Sequence, residues 1–284
     1  MAWQPTYVKR VIANDIPTST KPVFVETDNG RGYVKMPNTT AGSQALVSEL
    51  VGTQLAEWFG LQVFRYAVIH VAEVDLDSES SDETLLTAFI THEEPGNPWE
   101  GKGDTKALSA VENSCDFSWM VVFDTWVGNT DRHSWYDRKG ELTEWQNERN
   151  VFLSDEASKG KFTLKAYDHT HCQLSQIVIS PSDGLQARIE DRKIYGCFPE
   201  FKPFLRRNEI QKAGKKLSEM TDAIAREIVA SVPNEWIEDQ AARDALIEFI
   251  KCRSKIVSSY IESCLLYTSP SPRDQRGSRM PSSA

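Results

Sequence analysis

The sequence predicts an α+β chain with two lobes, a small sheet-plus-helix N-lobe followed by a mainly helical C-lobe. Three observations carry that expectation. Short β-rich runs punctuated by turn residues fill the chain as far as Thr91. From Leu108 onward, apolar residues recur at spacings of three, four and seven. Between these parts Pro95, Gly96 and Pro98 cluster, which divides residues 1–94 from residues 95–263.

Residues 6–12, 22–26 and 32–36 are the first strand candidates, with Asp28-Asn29-Gly30 as the turn between the last two. A helix is expected over 43–59, where Leu46, Leu50, Leu55, Trp58 and Phe59 recur near helical spacing and Gly60 stops it. Ser43 is the default cap of that helix. Residues 62–74 and 84–91 read as strands, and the acidic, serine-rich run 75–83 as a solvated loop. A helix over 108–127 buries Val111, Cys115, Trp119, Val122 and Trp126. Residues 151–153 and 162–167 form a hairpin around the turn 155–161. Two amphipathic helices follow, 208–232 with Ile210, Ala213, Leu217, Ile224 and Ile228, and 234–263 with Trp236, Ile247, Ile250, Val257 and Ile261.

At 284 residues the chain can bury a substantial core, and its 40% apolar, 26% charged make-up is ordinary for a globular protein. A formal charge of −9 argues against general nucleic-acid binding. Cys115, Cys172, Cys197, Cys252 and Cys264 form no CxxC pair, and residues 1–10 lack a hydrophobic signal core. Together these favour a reducing, cytoplasmic setting. No apolar run is long enough to span a bilayer. Residues 264–284 break from the helical pattern. Their back-translation accommodates both fixed segments of a transposon-type sequencing adaptor in frame, with the index at 275–277. This tail is expected to be translated adaptor rather than domain, and disordered.

The stretch from Gly128 to His169 carries the chemistry. It reads GNTDRH, then ERNVFL after a polar insertion, then FTLKAYDH. Asp131 thus offers one carboxylate, and Asn150 and Asp168 an amide and a second carboxylate that border apolar, strand-like runs. Phosphoryl transfer from ATP needs such a set: one Asp orients the attacking hydroxyl, while an Asn and a second Asp hold the Mg²⁺ that bridges the phosphates. Asn129 and His133 flank Asp131 and are placed to orient it, although both are also ordinary residues for a helix-ending turn. Lys35 ends a strand fourteen positions before Glu49 on the next helix, a pair suited to holding ATP phosphates. Ser43 and residues 39–42 offer backbone N–H groups to a phosphate at the helix start, without any glycine-rich phosphate motif.

Taken in order, YVKMP, SELVGTQLAEWFGLQV, FDTWVGNTDRH, RNVFL and LKAYDH resemble the HipA-like kinase family, from Gly32 through Cys172. The resemblance implies a protein-kinase-like two-lobed fold and ATP-dependent serine/threonine phosphorylation. Some relatives act as bacterial toxins, which implies an antitoxin-like partner. It implies Lys35 for phosphates, Asp131 for catalysis, and Asn150 and Asp168 for Mg²⁺. A looser similarity to phosphatidylinositol 3/4-kinases leaves the acceptor open among protein, lipid and small molecule. One departure stands out. Relatives keep the base and the metal-binding Asn a few residues apart, whereas Asp131 and Asn150 are nineteen apart. Residues 134–148 must loop out and return, and Asn147 is an alternative ligand.

Two other functions draw on the same residues. A metal-dependent phosphohydrolase would use Asp131, His133, Asp168, His169, His171 and Cys172 around Zn²⁺ or Mn²⁺. His169 and His171 would then share one face if the segment continued as a strand. A pseudokinase or interaction module would keep the fold without turnover, and the insertion before Asn150 is the feature that favours it.

Overall fold

The computed structural model describes residues 3–14, 16, 18, 20–72, 76, 84–136 and 142–268. Strands β1 (Val8–Ala13), β2 (Val23–Thr27) and β3 (Gly30–Lys35) open the chain near the expected positions. The β2–β3 turn is braced by Thr27, whose Oγ1 donates to Gly30 O at 2.7 Å and accepts from Asn29 N at 3.1 Å. Helix α1 (Gly42–Phe59) follows, and Gly60 ends it in the left-handed conformation, with φ 101°. β4 (Tyr66–Ala72) and β5 (Leu85–His92) complete a five-stranded antiparallel sheet in the order β1-β2-β3-β5-β4. Most of the expected loop 75–83 lies outside the described residues. Leu76 is described, and it is buried.

β6 (Gly96–Pro98) leads into α2 (Thr105–Ser109) and α3 (Asp116–Val127), followed by β7 (His133–Tyr136), β8 (Leu142–Gln146), β9 (Phe152–Ser154) and β10 (Thr163–Lys165). β6, β9 and β10 form a three-stranded sheet of their own, so the chain leaves the first sheet at the predicted Pro/Gly cluster. The single helix expected over 108–127 is two helices. Asn113 is the reason: its side chain accepts from Leu164 N at 2.8 Å and donates to Leu164 O at 2.9 Å. That clamp, with the Val111–Phe162 bridge, holds residues 110–115 against β10 and out of a helix.

The remainder is helical: α4 (Gln173–Ile179), α5 (Leu185–Glu190), α6 (Arg207–Ser218), α7 (Asp222–Ala230) and α8 (Gln240–Thr268). The expected helix 208–232 breaks because Thr221 Oγ1 caps Ile224 N at 3.2 Å and starts a new helix. α8 starts at Gln240 rather than 234, since Asp239 turns the chain by accepting from Ala241 N at 2.8 Å. It runs to Thr268, so residues 264–268, expected to be disordered, continue the helix. Leu265 is buried in the main core. Residues 269–284 of the predicted adaptor tail lie outside the described residues.

α1 is apolar nearly all round because it is enclosed, with β5 on one side and α3, α4, α6 and α7 on others. Trp236 joins the helical part to the sheet by donating to Thr87 O at 2.9 Å. These contacts hold α1 at the centre of the molecule, where Glu49 is buried together with Ser48 and Thr53. No described helix is long and apolar enough to cross a membrane.

Candidate active site

Lys35 is the last residue of β3, and strand alternation turns it away from the buried Val34. Its Nζ forms an ion pair with Glu49 of α1 and a second, at 3.3 Å, with Asp168 Oδ1. The side chains are 13% and 3% exposed for Lys35 and Glu49, so the attraction is little screened by water. Burial opposes the charged form of Lys35, but the two carboxylates override it and raise its pKa, so it stays an ammonium. Burial likewise opposes a charge on Asp168. The Lys35 charge, added to hydrogen bonds with Glu49, Thr170 and Lys35, outweighs that effect and holds the Asp168 carboxyl well below the usual carboxylate range. Glu49 moves upward, chiefly through burial.

Glu49 also accepts from His169 N at 3.2 Å and from the Thr170 hydroxyl. The turn after β10 is therefore fastened to α1 residue by residue. Asp168 itself adopts φ 54°, a left-handed conformation that a non-glycine residue holds only when its surroundings impose it. Gly52, one turn along α1 from Glu49, permits this approach. A Cβ there would lie 2.6 Å from His169 Cβ. A mid-helix glycine costs about 1 kcal/mol relative to alanine, and the close contact is what it provides.

Asp131 lies in the turn that ends α3. Its backbone N–H donates to Asn129 Oδ1 at 3.1 Å, and buried Asn129 is held in turn by Asp124. Asp131 Oδ2 accepts from Asn150 Nδ2 at 2.9 Å and from Asn147 Nδ2 at 3.4 Å. Among the described residues of the insertion, β7 and β8 pair as antiparallel strands, and Asn147, just past β8, is back beside Arg132, to whose carbonyl its N–H donates at 2.9 Å. Asn150 is thus brought to Asp131 in spite of its distance along the chain.

Arg132 is the candidate site residue that the motif reading gave no role. Fully buried, it pairs with Asp124, donates Nε to Asn150 O at 2.8 Å, and donates an Nη to Tyr167 O at 2.9 Å. Tyr167 directly precedes Asp168. One guanidinium therefore joins the backbone beside Asp131, Asn150 and Asp168, a use suited to its rigid fork of donors. Its only sequence signal is its place between Asp131 and His133.

Other expected residues are placed differently. Ser43 lies inside the first turn of α1, where Ala41 holds the cap position and no side-chain cap forms. His133 is buried, its ring 5.2 Å from that of Phe198 and its Nε2 3.6 Å from Glu144. The chain turns at 170–171 instead of extending, so His169 and His171 do not share a strand face. His169 packs its ring against Phe123. No three His, Cys, Asp or Glu side chains among the described residues gather as a metal-binding group, which removes the geometry a Zn²⁺ hydrolase requires.

The donor set does suit a hard cation that keeps some of its water. Asn150 and Asp168 offer amide and carboxylate oxygens, and Asn150 Nδ2 is already engaged by Asp131, which leaves its Oδ1 for a ligand.

The comparisons agree with this geometry. No curated protein matches the sequence. Among solved structures, the proinflammatory kinase CtkA of Helicobacter pylori is similar at a TM-score of 0.55 and 15% identity, over 94% of this chain and 100% of that one. That likeness speaks for a kinase fold. The family model for HipA-like kinases matches residues 8–159, a span that holds Lys35, Glu49, Asp131, Arg132 and Asn150. Extending over more than half of the sequence, the match establishes that this chain belongs to the HipA-like kinase family.

Proposed function

We propose that this protein is an ATP-dependent phosphotransferase that uses Mg²⁺ and delivers the γ-phosphoryl group to a hydroxyl acceptor. The observation that carries this reading is the return of Asn150 to Asp131 at 2.9 Å across the insertion. The insertion is the feature that favours a pseudokinase, and the contact of Asn150 with Asp131 across it supports the active reading instead.

Lys35, kept charged and steered by Glu49, would hold the nucleotide phosphates. Asn150 and Asp168 would carry Mg²⁺, which neutralises charge on the phosphates when bound. Asp131 uses Oδ2 for two amides, and Oδ1 is the oxygen left to receive the acceptor proton. Arg132 keeps these groups in register, and positioning of this kind is most of what phosphoryl transfer requires. On this reading the nucleotide lies between residues 1–94 and 95–263. The acceptor is a serine or threonine hydroxyl of a protein and the partner antitoxin-like, as the family implies, and the scattered cysteines favour a cytoplasmic location.

Calorimetry with MgATP and transfer of labelled phosphate to a mixed serine/threonine peptide pool test this directly. The wild type should bind MgATP and label peptide. Asp131→Asn should bind MgATP within about threefold of wild type and lose about 10²–10⁴-fold in transfer, the usual worth of a catalytic base. Absence of MgATP binding in the wild type would sink the proposal. Labelling of lipid or small-molecule acceptors in place of peptide would redirect its acceptor.

A further inference from the structure

The β7–β8 hairpin does more than span the gap between Asp131 and Asn150. Trp145, on β8, is 51% exposed, yet its single donor, the indole Nε1–H, is committed to Asp131 O at 3.2 Å. Asn147, just past the end of β8, tightens the same spot. Asn147 N donates to Arg132 O at 2.9 Å, and Asn147 Nδ2 reaches Asp131 Oδ2 at 3.4 Å. Ser134 pairs with Trp145 across the hairpin, and His133 with Gln146.

Asp131 is consequently held at both backbone polar groups by side chains: its N–H by Asn129 from the helical side, its C=O by Trp145 from the hairpin side. The two contacts fix the peptide units on either side of the Asp131 Cα, and rotating either one would redirect the carboxylate relative to Asn150. A long insertion beside a catalytic residue raises the conformational entropy of its loop. An isolated two-stranded hairpin is marginally stable and needs an anchor. The indole hydrogen bond supplies one, and it attaches at Asp131 itself.

We propose that Trp145 is a positioning residue for Asp131, so that the inserted hairpin is a working part of the catalytic loop. The proposal rests on the reading of Asp131 as the base. Trp145 touches no reacting atom. It fixes the backbone from which the base projects, and its loss should lower turnover while leaving nucleotide affinity alone.

Two variants separate the N–H from the ring. Trp145→Phe keeps an aromatic surface and loses the donor, and Trp145→Leu loses both. Each should reduce kcat for peptide phosphorylation about three- to tenfold, the range of one exposed hydrogen bond, with KM for MgATP within about twofold. Hydrogen exchange measured by mass spectrometry reads the same contact without turnover. Both variants should accelerate exchange in the peptide covering 129–134, with residues 35–50 unchanged. A Trp145→Phe protein with wild-type exchange and wild-type kcat overturns the proposal, as does a proportional change in MgATP KM. Should the wild type transfer no phosphate, exchange alone decides: acceleration upholds the anchor while the catalytic reading falls, and unchanged exchange overturns it.

Discussion

Arg132 and Asp124 form an ion pair with both side chains fully buried, directly behind Asp131. Two charges removed from water repay their desolvation only when geometry is good and the remaining donors are used. Here the spare N–H groups go to the carbonyls of Asn150 and Tyr167, at 2.8 and 2.9 Å. Arg132 is thus tied to the segments that carry the other site residues, and its contacts align the site, although Asp124 Oδ2 accepts no hydrogen bond among the described residues.

Arg132→Met should therefore unfold easily, by roughly 3–5 kcal/mol, because Asp124 is left charged and unpaired in the core. The double change Asp124→Leu with Arg132→Met should recover most of that loss and still lack phosphoryl transfer. Urea titration and a transfer assay on both proteins check it. A double variant with wild-type turnover would show that Arg132 serves stability alone.

Asn150 and Asn147 both reach Asp131 Oδ2, at 2.9 and 3.4 Å. On the proposed reading, the shorter contact and the Arg132 bond to its carbonyl favour Asn150 over Asn147 as the amide for Mg²⁺. Asn150→Ala should lose roughly 100-fold or more in Mg²⁺-dependent turnover, and Asn147→Ala under about tenfold, as for a ligand against a supporting group. The reverse order would transfer the metal role to Asn147.

His169 is buried without a hydrogen bond to either ring nitrogen, and burial first, then the charge of Arg132, pushes its pKa down to about 3 from 6.5. Unfolded, it takes up a proton near pH 6.5, and folded only near 3. The unfolded state binds more protons inside that window. Its contribution to stability is complete above 6.5 and is lost as pH falls towards 3. His169→Leu abolishes the dependence, so its stability relative to wild type should improve as pH drops from 6.5 to about 4, by at most ~1.4 kcal/mol per pH unit. Denaturant midpoints of the two proteins across that range provide the check, and a constant difference refutes it.

Truncation separates the helical from the undescribed part of the tail. Ending the chain after Thr268 should leave thermal stability unchanged if residues 269–284 are adaptor-derived. Ending it after Ser263 removes Leu265, which is fully buried in the main core, and should cost roughly 2 kcal/mol. Equal melting temperatures for the two truncations would show that Leu265 packs without consequence.

Much of the N-terminal sheet and α1 was legible because its signals are local. Asp28-Asn29-Gly30 makes a turn wherever it stands, and Gly60 ends a helix through its own backbone freedom. The helix breaks at 110–115 and 219–221 were harder to see. Thr221, whose hydroxyl caps α7, sits inside an apolar repeat that runs on through 208–232. Asn113 carried no local signal, because its partner Leu164 lies 51 positions away.

By itself the sequence determined the α+β order of elements and the succession Lys35, Glu49, Asp131, Asn150, Asp168, since propensity and motif spacing act within a few residues. Only the tertiary structure decided that Lys35 meets Asp168, 133 positions on, that Asn150 returns to Asp131, and that Arg132 joins them. It also turned His133 towards Phe198 and closed the turn at His169 against Gly52. Those outcomes depend on which buried polar groups can find partners once the core closes, a condition satisfied only in three dimensions.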